Sequence, residues 1–368
     1  MDQARNIKTA MADTAPAQYY IGLMSGTSLD GVDGVIIDRQ CQKIIAQTYQ
    51  PYTDQLKQDL RQLTQSGQTS LSALADIDIK VAHAFSGVVL ALLNEAGVSS
   101  NQIIAIGSHG QTIFHQGGHY SMQIGHGAFI AEQTNITTVA DFRMQDVAAG
   151  GQGAPLTPLY HQHLLKGASG VVVNLGGIAN ITQITANAIT GFDTGPANTL
   201  LDNWIQQCKS LDYDRDGLWS RSGFIDQNLL TSLLKDAYFQ QQAPKSTGPE
   251  YFNLEWLSGF LTGEESPEDV QRTLVELTAL SISSHIPEGS DLYLCGGGVH
   301  NVFLFERLMY LNPNSDIMTT HELGVHADYV EAAAFAYFAK QTLAKQPSNI
   351  IEVTGAKQPR ILGAIYAI

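Results

Sequence analysis

Two segments of one design, roughly half a chain apart, constrain this sequence more than any other feature. The first is YYIGLMSGTSLDGVDGVIID, from Tyr19 to Asp38, and the second is GVVVNLGGIANITQI, from Gly170 to Ile184. Each reads as an apolar strand, a glycine-bearing turn and a second strand, which is the pattern of a β-hairpin. Strand and helix patterns follow both. In the first half Ser70 to Glu95 carries helical periodicity, then come the buried run IIAIGSHG, the strand TTVADF and the loop DVAAGGQGAPLTP. In the second half a helix from Pro267 to Ser284 opens on the start signal Ser266-Pro267. It leads to the buried strand DLYLCGGGVHN, a helix from Val302 to Leu311, the strand SDIMTT and a last helix from about Ala327 to Leu343. Alternating strands and helices argue α/β layers. The recurrence argues for two related lobes, with a boundary near residues 150–170.

A chain of 368 residues has length enough for two domains. It is 44% hydrophobic and 15% charged, the profile of a chain with large buried cores. Lys and Arg number 20 against 35 Asp and Glu, a formal charge of −15. That balance argues against nucleic acid and anionic membranes as partners, since phosphate surfaces need clustered cations. An anionic ligand would have to be held locally, by backbone N–H groups, a metal ion or a few placed arginines. Cys41, Cys208 and Cys295 are scattered, which excludes a disulfide scaffold or zinc ribbon and suits a reducing cytosol. No apolar run approaches the ~18–20 residues of a membrane span, and residues 1–18 read as a loose extension without a signal-peptide core. A cytoplasmic protein is expected.

The missing nucleotide signatures matter. There is no G-x-x-x-x-G-K-[ST], no strand followed by G-x-G-x-x-G and no protein-kinase signature set. The tip Ser25-Gly26-Thr27-Ser28-Leu29-Asp30-Gly31 offers another way to hold phosphate. Its glycines permit close backbone approach, its hydroxyls and N–H groups suit phosphate oxygens, and Asp30 suits Mg²⁺ directly or through water. An ordinary turn has the same composition. The second tip, Gly176-Gly177, strengthens the phosphate reading, because two facing hairpins would cradle a β/γ-phosphate from both sides. GFDTGPAN puts Asp193 after an apolar stretch, in a turn forced by Gly and Pro, where it is either a general base or the cap of the helix NTLLDNWIQQ. Gly296-Gly297-Gly298 lies between a buried strand and a helix, where its backbone could pack on a flat base or ribose. A tight strand-to-helix connection explains it equally.

Three patterns are read as decoys. LDYDRDG starts like a calcium loop, but its twelfth position is Gly223 rather than Glu. His321 and His326 stand one residue too far apart for H-E-x-x-H. His109, His115, His119 and His126 surround Gly117 and Gly118, which favour a turn over a metal-bearing helix.

Taken together, the blocks IGLMSGTSLDGVD, GSHGQT, TVADFRMQDVAAGGQGAPL, VNLGGIANIT, GFDTGP, PKSTGPEYFN, CGGGVHN and ILGAIY resemble the anhydro-N-acetylmuramic acid kinase family, of the acetate and sugar kinase/Hsp70/actin superfamily. The resemblance runs from Tyr19 to the C-terminus. Ala197 stands where the family commonly has Gly, Pro249 where it has Arg, and His126 where Asp is often seen. The resemblance implies two lobes of duplicated actin/hexokinase-like, ribonuclease H-like β/α topology with a central cleft. Residues 19–165 would form the N-terminal lobe with the first phosphate hairpin. Residues 166–345 would form the C-terminal lobe with the second hairpin and the nucleotide contacts, and residues 346–368 a tail on either lobe.

The implied reaction converts 1,6-anhydro-N-acetylmuramic acid, ATP and water to N-acetylmuramic acid 6-phosphate and ADP, a step of murein recycling. Gly26, Thr27, Ser28, Leu29, Asp30, Gly31, Val32 and Asp33 would form the ATP hairpin, with Gly176, Gly177, Gly296, Gly297 and Gly298 as further nucleotide contacts. Asp193 would be the catalytic base and Asp30 the Mg²⁺-side carboxylate. Arg143 is the expected cation for the sugar's lactyl carboxylate, and His109, Asp141 and Glu331 are further substrate candidates. The expected partners are ATP and an anhydro amino sugar, with homodimerisation left open. The alternatives are another sugar or acyl kinase of this fold, or an amino-sugar sensor without turnover.

Overall fold

A computed structural model describes residues 18–26, 28–243 and 245–368; residues 1–17 of the expected extension, and Thr27 of the expected ATP hairpin, lie outside them. The strands are β1 (Tyr19–Ser25), β2 (Gly31–Asp38), β3 (Ile44–Pro51), β4 (Ile103–Gln116), β5 (Tyr120–Ile124), β6 (Thr138–Ala140), β7 (Gly170–Leu175), β8 (Ile178–Ile184), β9 (Ile189–Pro196), β10 (Leu292–Cys295), β11 (Ile317–Thr319) and β12 (Ala364–Tyr366). They form two sheets. The first runs β3-β2-β1-β4-β6-β12, with β5 turned back on β4; the second runs β9-β8-β7-β10-β11.

Both sheets repeat one plan. In each the opening hairpin is antiparallel, its third strand pairs antiparallel beyond the second, and two parallel strands follow on the other side of the first. This is the duplicated ribonuclease H-like order, and it places both hairpin tips at the same end of their respective first and second strands. The apolar runs fill the interior: Val171, Val173, Ile181, Leu292 and Leu294 build one core, and Ile21, Leu23, Ile36 and Ile106 another.

Helix boundaries follow local chemistry. Ser70 and Ser266 cap the helices Leu71–Ala96 and Pro267–Ser283 by accepting the N–H of Ala73 and Asp269. Gly97 ends the first with a left-handed φ of 63°. The expected strand TTVADF stops at Ala140, because Asp141 turns left-handed at φ 58° and Arg143 opens the helix Arg143–Ala148.

The chain's end returns to the first sheet, so an expected boundary at 345 cuts through that return. Helix Val330–Leu343 lies across β1 and β4, and β12 pairs with β6. Gly22 and Gly107, neighbours on β1 and β4, make this approach possible. A Cβ at Gly22 would lie 2.7 Å from the Ala332 carbonyl carbon, and one at Gly107 would lie 2.5 Å from that of Phe335. The tail is stapled through Asp146, a fully buried carboxylate that accepts from Gly153 N–H (2.8 Å), Asn349 Nδ2 (2.7 Å) and the Thr354 hydroxyl (2.7 Å). The short helix Ile351–Thr354 then packs on β9 of the second sheet.

Candidate active site

The first hairpin tip is held by a buried hydroxyl network. Ser25 Oγ lies 2.6 Å from the Gly31 carbonyl oxygen and 2.7 Å from Gln111 Oε1. The Tyr52 hydroxyl donates to Ser25 Oγ at 3.0 Å, and Gln111 Nε2 donates to the Gly26 carbonyl at 3.0 Å. Leu29 holds a left-handed φ of 57°, and Ser28 Oγ donates to Asp30 Oδ1 at 2.7 Å. The glycines divide by role. A Cβ at Gly26 would meet only Ser28 Oγ, at 3.7 Å, so this position is open to a ligand. At Gly31 it would strike Gln50 O and lie 2.8 Å from Pro51 Cα, so Gly31 serves the packing of β3. Leu29 and Val32 are buried in the core beneath the tip.

Behind this tip, carboxylates of distant origin converge. Burial first, then the charges of Asp30, Glu331 and Asp328, push Asp33 up to about 7. Asp328 belongs to the turn Ala327–Tyr329, which lies against β2, and pairs with His300 Nε2 at 2.9 Å. Glu331 stands in the first turn of helix Val330–Leu343, raised by burial and opposed by the charge of Arg143. Oxygen donors of this hardness suit Mg²⁺, although no group of three or more His, Cys, Asp or Glu among the described residues has metal-site geometry.

Arg143 is aimed by its neighbours. Its Nε donates to His109 Nε2 at 2.9 Å and Nη1 to the Gly153 carbonyl at 2.8 Å. His109 must then donate from Nδ1, which lies 2.9 Å from the Gly110 carbonyl. Burial, then the Arg143 charge, holds His109 well below its ordinary pKa, so the ring stays neutral. Packed 4.6 Å from the Phe335 ring, His109 has both nitrogens engaged and orients Arg143 from behind. Asp141 is exposed just past the end of β6.

Asp193 sits on β9 opposite Asn180 of β8, within a strand rather than in the turn expected of GFDTGP, because the whole segment pairs with β8; an irregularity beside it sets Thr194 out of register. Its Oδ1 accepts from Asn180 Nδ2 at 2.8 Å and its Oδ2 from the Thr247 N–H at 3.0 Å. Burial raises its pKa, the Asn180 and Thr247 bonds lower it, and Glu250 raises it further. The carboxylate is therefore fixed and poised above the ordinary carboxylate range. It does not cap the following helix, whose first N–H groups at Asn198 and Thr199 donate to the carbonyls of Gly176 (3.0 Å) and Gly177 (3.0 Å).

That exchange packs the second tip against the helix Asn198–Lys209; a Cβ at Gly177 would lie 2.5 Å from Thr199 Oγ1. Gly296, at φ 82°, and Gly298 let their turn close onto Leu175: a Cβ at Gly296 would lie 2.9 Å from its carbonyl oxygen, and one at Gly298 would lie 2.6 Å from its Cβ. Gly297 faces open space in a cleft of about 660 Å³, lined also by Asn198, Asp202, Asp214 and His300. Asp202 is pushed to about 7 by burial, then by Asp214 and Asp212. Asp214 itself accepts from the N–H groups of Trp219 (2.9 Å) and Ser220 (2.9 Å), so LDYDRDG is a helix-capping turn. Of the first-half histidines, His126 caps the helix Gly127–Thr134 and His115 lies on β4.

Sequence reasoning missed Gln111, Tyr52, Asn180, Tyr238, Lys245 and Asp202. Only Asn180 carried a usable signal, since the period-two pattern of GIANIT set against GFDTGP brings it opposite Asp193.

The model of the family described as anhydro-N-acetylmuramic acid kinase matches residues 18–368. Curated relatives of that name include one from Coxiella burnetii (strain Dugway 5J108-111), 47% identical over 95% of this chain and 98% of its own length. Another, from Photobacterium profundum, is 45% identical over 95% and 98%; a third, from Pasteurella multocida, is 46% identical over 95% and 96%.

Proposed function

The chain belongs to the anhydro-N-acetylmuramic acid kinase family and is an ATP-dependent sugar kinase; we propose that it couples hydrolytic opening of the 1,6-anhydro bond to phosphorylation of O6. The family match over residues 18–368 carries this reading. The placement of Asp193 supports the chemistry. An anhydro sugar has no free O6, because one oxygen bridges C1 and C6. Water attacks C1, Asp193 takes its proton, and the C1–O bond breaks. The freed O6 attacks the γ-phosphorus, the bond to the β–γ bridging oxygen breaks, and ADP leaves. No carboxylic acid need protonate the leaving oxygen, as it does in an inverting glycosidase, since phosphorylation caps it.

Placement supports a role for each of the remaining residues. The backbone around Gly26 approaches the phosphates, with the Gly176-Gly177 tip on the other side and Gly297 at the nucleoside. Mg²⁺, when bound with ATP, neutralises charge on the transferring phosphoryl group. Asp30, with Asp33 behind it, would hold that ion directly or through water. Arg143 takes the lactyl carboxylate, with His109 keeping the guanidinium in line and the charge of Glu331 acting on Arg143; Asp141 is at most a rim contact. We place the reaction in the cytoplasm, in murein recycling. Among the described residues no helix is long and apolar enough to cross a membrane.

The test is turnover of the anhydro sugar with ATP in ¹⁸O-labelled water. Label is expected at C1 and none in the phosphate; label in the phosphate would refute the coupling.

A further inference from the structure

A closed ring of three residues surrounds the backbone of Asp193, and the reaction as described uses none of it. The Asp193 N–H donates to the Lys245 carbonyl at 3.1 Å. The Lys245 ammonium donates to the Tyr238 carbonyl at 3.3 Å and stands 4.7 Å from the centroid of the Tyr238 ring. The Tyr238 hydroxyl donates back to the Asp193 carbonyl at 2.7 Å. Lys245 is only 8% exposed, and among the described residues no carboxylate lies within ion-pair distance of it. In a chain with 35 acidic residues that isolation is unusual. Burial lowers the lysine's pKa, and an ammonium held this way costs more than an apolar side chain of equal volume. Tyr238 is in turn held in place by Phe252 at 5.3 Å and Phe239 at 5.9 Å between centroids.

We propose that Lys245 and Tyr238 are positioning residues for the base. The ring fixes residues 245–247 against β9, and Thr247 is the residue whose N–H holds Asp193 Oδ2. That bond lowers the pKa of Asp193, so loosening the ring raises it and leaves the carboxylate more basic but less well aimed. Glu250 and Tyr238 are the other ionisable groups acting near it, and His285 feels the Lys245 charge. This inference rests on the reading of Asp193 as the base.

The experiment measures kcat, both KM values and the pH profile for Tyr238→Phe and Lys245→Met, beside Asp193→Asn. Tyr238→Phe keeps the aromatic packing, so it remains informative where Lys245→Met fails to fold. Expected are a kcat lowered roughly 5- to 10-fold, the scale of one lost hydrogen bond, an unchanged KM for ATP and an acid limb moved to higher pH. The double variant should be no slower than the worse single, because the ring acts as a unit. A folded Tyr238→Phe with wild-type kcat and acid limb would overturn the proposal, as would lower thermal stability with an unmoved limb. Full turnover in Asp193→Asn would instead overturn the base reading itself.

Discussion

Replacing Gly107 or Gly22 by alanine should separate the last helix from the sheet it rests on. A Cβ at Gly107 would lie 2.5 Å from the Phe335 carbonyl carbon and 3.2 Å from Ala336 N. At Gly22 it would lie 2.7 Å from the Ala332 carbonyl carbon and 2.9 Å from Ala336 N. These are backbone atoms within a helix, so no rotamer change relieves the clash. Ordinary contact begins at 3.4 Å, so helix Val330–Leu343 must rise by about 0.7 Å or more. Phe335 and Phe338, both essentially buried, would lose close contact with the sheet and with Phe142. Overpacking of this kind costs ~1–3 kcal/mol, and a rigid backbone neighbour puts the expectation at the upper end. Glu331 sits on the same helix and His109 against Phe335, so sugar turnover should fall beyond the loss of folded protein. Urea unfolding measures the first effect, and ADP release per folded molecule the second. Gly297→Ala, whose Cβ meets nothing within 4 Å, is the stability control. Wild-type stability in both Gly107→Ala and Gly22→Ala would refute the close packing of this helix.

Asp193→Asn should cut turnover roughly 10²–10⁴-fold while ATP and sugar affinities hold, since the carboxylate acts chiefly in the transition state; calorimetry beside kinetics separates the two. Because burial raises Asp193, and the base works deprotonated, kcat should climb with pH through a midpoint above the ordinary carboxylate range, and a midpoint below about pH 4 would contradict this. Gly26→Val should stay folded and raise the KM for ATP; calorimetry finding unchanged ATP affinity would remove this hairpin from the site. Asp33 is raised from 3.8 to about 7, so between those values the folded state holds a proton that the unfolded chain has released, and stability falls as pH rises through that window. Asp33→Asn should therefore stabilise the ligand-free protein at about pH 8, by at most about 4 kcal/mol, and weaken Mg²⁺-dependent ATP binding; equal urea midpoints at that pH would count against the acidic cluster.

Local signals alone determined the two hairpins, the strand-helix alternation, the ends of the helices Leu71–Ala96, Pro267–Ser283 and Val302–Leu311 to within about a residue, and the place of Gly26 at a hairpin tip. Each rests on neighbours a few residues apart: Ser266 accepts from Asp269, and glycine permits a turn whatever surrounds it. The blocks of residues also determined the family, because their order along the chain is itself sequence. Tertiary structure decided what each residue does there. Gly26 and Gly31 look alike in sequence, yet one faces open space and the other lies under β3. His109 and Arg143 both read as sugar contacts, but only the fold brings them together at 2.9 Å and turns the histidine into a support. The run AAAFA fits against Gly22 and Gly107 across more than two hundred residues, and the tail reaches Asp146 across as great a span. Periodicity says which face of a helix is apolar, not which sheet will cover it. That choice belongs to the packing of both lobes, where close approach of backbone to backbone is decided by atoms no local pattern contains.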